Sequence, residues 1–182
     1  MVKKNGFTLL EIIIAIAIIA ILGVVIVPNL RGPQERLKTK TFVAKLNSLM
    51  QAAWQQALTS QKLQMIYFDF TNKKIELREK KDLTKPDKPQ YFTAITGQYL
   101  DTQMTIPPRY FFRNFYIEGK DELQRKAKDA WFFIVPSGLA QAVIINIVDE
   151  GEEDSEQETE KFGLVLNPFN VQFDYYDKFQ QP

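Results

Sequence analysis

Residues 1–27 read MVKKNGFTLLEIIIAIAIIAILGVVIV: two lysines, a glycine, one carboxylate at Glu11, then no charge from Ile12 to Val27. As a helix, Phe7 to Val27 would be roughly 31 Å long, the thickness of a bilayer's hydrocarbon. Lys3 and Lys4 on its N-terminal side predict a cytoplasmic amino terminus and a translocated remainder. Glu11 does not fit a plain anchor, because a charge in the bilayer costs about 2.5–3.5 kcal/mol near its centre and less near an end. A secretory signal peptide would need a small-residue cleavage site after the apolar run, and Pro28-Asn29-Leu30-Arg31 does not provide one. A cut between Gly6 and Phe7 changes the chemistry. It creates a positively charged terminus at the membrane edge and leaves Glu11 near the start of the helix, where the dipole favours a carboxylate. The terminus of an adjacent subunit can then supply the cation Glu11 needs, so that a costly charge becomes a register device for assembly.

Beyond Val27 the pattern is weakened by Pro28 and Pro33, which predict a helix kink. Phe42, Val43, Leu46, Leu49, Met50, Ala53, Trp54 and Ala57 then recur at helical spacing, predicting an amphipathic helix from about Gln34 to Thr59. From Gln64 the period becomes that of strands. QMIYFDF, TNKK and IELRE predict a hairpin, and KKDLTKPDKPQ a charged loop. Tyr91 to Ile117, interrupted by Pro107-Pro108, predicts irregular chain with an edge strand or two. GKDELQRKAKD reads as a short surface helix or a charged turn. AWFFIV, PSG and LAQAVIINIV read strand, turn, strand; FGLVLN, PFN and VQFDYYD predict another strand pair. The expected fold is α+β: a long N-terminal helix, its second half buried against a mainly antiparallel β-sheet domain.

Composition narrows the function. The chain has 182 residues, enough for one membrane helix and one domain of about 120 residues. A net charge of +1 argues against nucleic-acid binding. With no cysteine and no histidine, disulfides, thiol nucleophiles, Cys/His zinc sites and the commonest general base are all excluded. That composition argues against an enzyme.

The motif KKNGFTLLE, followed by an apolar run and Pro28, resembles the class III leader of type IV prepilins and of the pseudopilins of type II secretion systems. The resemblance implies that a prepilin peptidase cuts after Gly6 and N-methylates Phe7, and that Glu11 is the assembly glutamate. It implies a leader over 1–6, a membrane and filament-core helix over 7–28, an amphipathic helix over 29–60 and a periplasmic β-rich domain over 61–182. Its partners would be other pilin-like subunits, the prepilin peptidase, an inner-membrane assembly platform and inner-membrane lipid. The subunit would sit in a bacterial inner membrane before entering a periplasmic filament. AWFFIVPSGLAQAVIINIV with FGLVLNPFNVQFDYYD, and QKLQMIYFDFTNKKIEL, are similar in layout to the minor H-type pseudopilins. A type IV pilin or minor pilin, and a membrane-anchored binding protein or enzyme, are the alternatives.

Other candidate residues have plainer readings. The acid-rich tract from Asp149 to Glu160 reads as a solvated hairpin loop; Asp149, Glu150, Glu152, Glu153 and Asp154 form a weak candidate calcium loop lacking the spacing of an EF-hand. No other cofactor is expected. Asp69, Glu76 and Glu79 read as strand polarity rather than paired acids. Ser137 reads as a turn residue. Trp54 and Trp131 read as core residues between helix and sheet.

Overall fold

The structure, a computed structural model, describes residues 9–29, 31–96, 102–123, 127–151 and 159–182, with the backbone alone described over 22–36. Residues 1–42 and 43–182 form two compact units. The first contains helix α1 (Leu9–Asn29) and the beginning of helix α2 (Arg31–Ser60), which continues into the second. Where the sequence suggests one helix with a weak point, there are two helices, and Leu30 between them lies outside the described residues. Pro28 is in the last turn of α1. Pro33 is in the first turn of α2, where the missing N–H has no helical partner in any case.

In the second unit, Leu46, Leu49, Met50, Ala53 and Ala57 are fully buried, one stripe of α2 as their spacing requires. After the helix come β1 (Gln64–Asp69) and β2 (Lys74–Lys80), an antiparallel hairpin with Tyr67 opposite Glu76. Its turn is closed by Asp69, whose carboxylate accepts from the Asn72 N–H at 2.8 Å and the Asn72 side chain at 2.7 Å. Two short strands, β3 (Phe92–Ala94) and β4 (Gln103–Thr105), both pair with the outer side of β2. Next come β5 (Tyr110–Ile117), β6 (Lys120–Asp121), β7 (Asp129–Ile134), β8 (Val143–Asp149), β9 (Glu160–Asn167) and β10 (Gln172–Tyr176).

These strands make two five-stranded antiparallel sheets rather than one. The first runs β3-β2-β1-β7 with β4 also on β2; the second runs β10-β9-β8-β5-β6. β7 and β8, which read as a hairpin in sequence, therefore lie in different sheets. The turn at Pro136–Gly138 redirects the chain between sheets instead of folding it back on itself. The strands are interleaved along the chain, because β5 and β6 precede β7 yet belong with β8. β5 is also longer and more central than expected, flanked by β8 and β6. A register shift between Phe112 and Asn114 breaks its alternation, and that hid it in the sequence. GKDELQRKAKD contributes β6 and a turn, with residues 124–126 outside the described residues.

An aromatic cluster joins the sheets. Phe68 of β1 lies edge-to-face on Phe115 of β5 at 5.0 Å and tilted on Phe132 of β7 at 6.2 Å; Phe132 in turn meets Phe173 of β10 at 6.3 Å. Each such ring contributes about 1.5–3 kcal/mol by burial, with a further ~0.5–1.5 kcal/mol for favourable ring geometry.

Three polar contacts seat the remaining chain. Asn47 of α2 donates to the Phe173 carbonyl at 3.1 Å and accepts its N–H at 2.7 Å, acting as a one-residue strand against β10. Asn146 in β8, 1% exposed, accepts the Gln180 N–H and donates to the Gln180 carbonyl, both at 2.9 Å. Gly163 of β9 leaves room for that tail, since a Cβ there would stand 2.8 Å from both Gln180 Cγ and the Lys178 carbonyl.

Candidate functional site

The residues with the strongest chemical signal lie at the start of the chain. Gly6 and Phe7, with Lys3 and Lys4, lie outside the described residues. Glu11 is in the first turn of the described α1, at the end where the helix dipole favours a carboxylate. From Leu9 to Ile21 every side chain is exposed, and Glu11 is the single charged residue among them. A helix apolar on all sides, with nothing from its own chain over it, requires lipid or other helices around it. Among the described residues no helix is long and apolar enough to cross a membrane, and the side chains described in α1, Leu9 to Ile21, are fewer than the roughly 20 a span requires.

The other candidates do not converge on a reactive centre. Glu76 receives Lys74 at 2.6 Å and Arg78 at 2.9 Å, and the Arg78 guanidinium lies over the Tyr67 ring at 3.7 Å. Burial raises the Glu76 pKa, but the bonds from Lys74 and Arg78 outweigh it and hold the carboxyl below its ordinary value. Glu79 behaves alike: burial is outweighed by Lys62 at 2.7 Å, Gln56 at 3.1 Å and Gln64 at 3.3 Å. Asp69 is committed to the β1–β2 turn. These carboxylates each hold local structure and form no acid–base pair. Tyr67 donates to Asp129 at 2.6 Å; burial first, then that bond, pushes its pKa up to about 12.

At the base of the acid-rich tract Asp149 is buried and ion-paired with Arg109 at 2.9 Å, and it also accepts the Gly151 N–H at 3.1 Å. Its carboxylate thus closes the end of β8 instead of facing an open loop. Glu150 is exposed, and Glu152, Glu153 and Asp154 lie outside the described residues. Among the described residues no group of acidic side chains is arranged to hold a metal ion. Ser137 is exposed in its turn. Trp54 and Trp131 are half-buried rather than core: Trp54 edges the α2 stripe beside Gly138, and Trp131 sits opposite Tyr67 on the outer face of the first sheet.

Residues 1–27 match the family model described as the prokaryotic N-terminal methylation motif. The chain is type IV pilin-like. The pilin-like chain is 36% identical over 74 residues to the type II secretion system core protein G of Escherichia coli, covering 41% of this chain and 48% of that protein. It thus spans about half the length of that relative. It is 28% identical to core protein G of Klebsiella michiganensis, over 71% of this chain and 69% of the other. It is 47% identical over 45 residues to the type IV wide pilus major component PilA4 of Thermus thermophilus, covering 25% of this chain and 34% of that one. Among solved structures it is similar to the minor pseudopilin EpsH of Vibrio cholerae, with 12% identity, a TM-score of 0.49, and coverage of 80% of this chain and 94% of the other.

Proposed function

We propose that this pilin-like chain is a non-catalytic structural subunit of a type II secretion pseudopilus. The observation that carries this reading is the N-terminal methylation motif over residues 1–27, set directly before an apolar helix with Glu11 in its first turn. In this reading the precursor is held in the inner membrane by residues 7–28, with Lys3 and Lys4 cytoplasmic and the second unit periplasmic. A prepilin peptidase cuts after Gly6 and methylates the Phe7 amine. The assembly platform then draws the subunit from lipid into the filament, where α1 exchanges lipid contacts for neighbouring helices. The Glu11 carboxylate pairs with the amino terminus of an adjacent subunit, so that a charge expensive in lipid alone becomes satisfied only in register.

Within this class we favour a minor, H-like subunit. Its first hairpin after the long helix and its strand–Pro-Ser-Gly–strand ending support that choice. The sequence relatives named core protein G support the secretion system more broadly. A type IV pilin is the second reading, favoured by the similarity to PilA4 over 25% of the chain.

Intact-mass and N-terminal analysis of the chain from membranes tests the proposal. The expected product begins at a methylated Phe7; a chain still beginning Met1-Val2-Lys3 sinks it. Quantifying the chain in isolated filaments tests the subtype, with a minor subunit expected far below the principal one. Loss of exoprotein release on deletion supports secretion, whereas loss of twitching or of DNA uptake with secretion intact favours the pilus.

A further inference from the structure

Outside the apolar N-terminal run, the three longest stretches without a charged residue are Leu46–Gln61, Ala130–Val148 and Phe162–Phe173. The fold brings them together. Gly138 sits so close to the end of α2 that a Cβ there would be 2.8 Å from Trp54 Nε1 and 3.2 Å from Leu58. The Ala140 N–H donates to the Pro168 carbonyl at 3.0 Å, and Gln51 donates to the Asn170 carbonyl at 2.9 Å. At this junction Leu58, Val135, Leu139 and Phe169 are exposed, Phe169 by 78%. The exposed polar residues from the same segments are Gln55, Thr59, Gln61, Ser137 and Asn170, none of them charged.

The turn that presents Phe169 is held rather than loose. The Phe169 N–H donates to the Asn167 side chain at 3.0 Å and the Val171 N–H to the Asn167 carbonyl at 2.9 Å. Val171 is fully buried in the left-handed region at φ 54°, a strained conformation for a β-branched residue. A rigid turn carrying an exposed aromatic loses little freedom on binding.

We propose that this surface docks the folded domain of a different pilin-like subunit, with Phe169 inserted into an uncharged apolar hollow on that partner. Lipid headgroups or nucleic acid would be met by lysine and arginine, and a charged protein face by opposite charge. An aromatic surrounded by aliphatic and amide side chains instead has the composition of a protein interface core. A charged group on the partner would be stranded against it, so the matching face must also be free of charge. This rests on the subunit reading above, in which a scarce subunit meets other subunits and not its own copies.

The test replaces Phe169 with a photoreactive benzoylphenylalanine in the full chain, made in cells with its native assembly system. Leu83, 72% exposed in the charged 81–88 loop, is the control position. We expect one adduct from position 169, identified by mass spectrometry as a second, different chain that carries an N-terminal methylation motif. It should be lost when Leu139→Gln is added and absent from position 83. An adduct only with lipid, only with a second copy or only with a chain lacking that motif overturns the proposal, as does no adduct. Phe169→Ser should leave the melting temperature unchanged, which separates lost docking from unfolding. The amino terminus is read in the same sample: a cut, methylated chain without the adduct overturns docking alone, and an uncut chain overturns the subunit reading with it.

Discussion

Asn47 and Asn146 perform the same task at opposite ends of the fold: each turns a side-chain amide into a two-bond strand pairing with a passing backbone. Asn47→Ala would leave the Phe173 N–H and carbonyl without these partners, and Asn146→Ala would do the same at Gln180. We expect each to cost about 1–3 kcal/mol in urea unfolding, the penalty for orphaned polar groups at partly buried sites. Gly163→Ala should cost a similar amount, because the added methyl would press on the Lys178 backbone rather than on a flexible tip alone. At the other extreme of exposure, Glu11→Val should still be processed and inserted but should fail to enter filaments. Normal assembly of that variant would contradict the pairing with a neighbour's terminus. Gly6→Leu should leave the leader attached, read as the precursor mass.

At the scale of elements, α2 is the most predictable piece. Leu46→Ala or Leu49→Ala should cost about 2–5 kcal/mol, since both are buried and leave cavities. β2 sets the pH response. Glu76 and Glu79 are held below their ordinary value, so their contribution is present above that value and is lost as pH falls through the depressed folded one. The denaturation midpoint should therefore drop on acidification below about pH 5, with a shallower drop in Glu76→Gln. Tyr67 has the opposite sign: raised from 10.0 to about 12, it contributes fully below 10.0 and loses its effect as pH rises through about 12. What sequence made legible follows from periodicity. The α2 stripe and the β1–β2 and β9–β10 hairpins each repeat cleanly over enough residues. β5 does not, because its register shift near Arg113 moves the buried side out of phase after Phe112. Trp54 and Trp131 were misjudged because aromatic size was taken for depth, although both lie at the margin of their surfaces. The amides that seat β10 and the tail have no local pattern; their partners are more than 30 residues away, at |i−j| of 126 and 34.

For the whole molecule, the N-terminal motif was legible because its chemistry is written in consecutive residues. The uncharged surface around Phe169 was not, since its three segments are distant in sequence and each alone reads as turn or core. The acid-rich tract is expected to act as a solvated loop. Titration with calcium to millimolar concentrations should show no heat and no change in melting temperature, because Asp149 already serves Arg109; saturable binding would overturn that view. The interleaving of the two sheets has a kinetic meaning. β1 gains its second neighbour only after β5 and β6 have been made, and β5 then waits for β8. Neither sheet can be completed from one contiguous segment, so the unit from Val43 onward should fold late and in a single step, at the slow rate expected of a chain dominated by distant pairings. Tryptophan fluorescence and circular dichroism should then report the same unfolding transition, leaving no half-folded sheet as an open edge for aggregation while the chain is being exported.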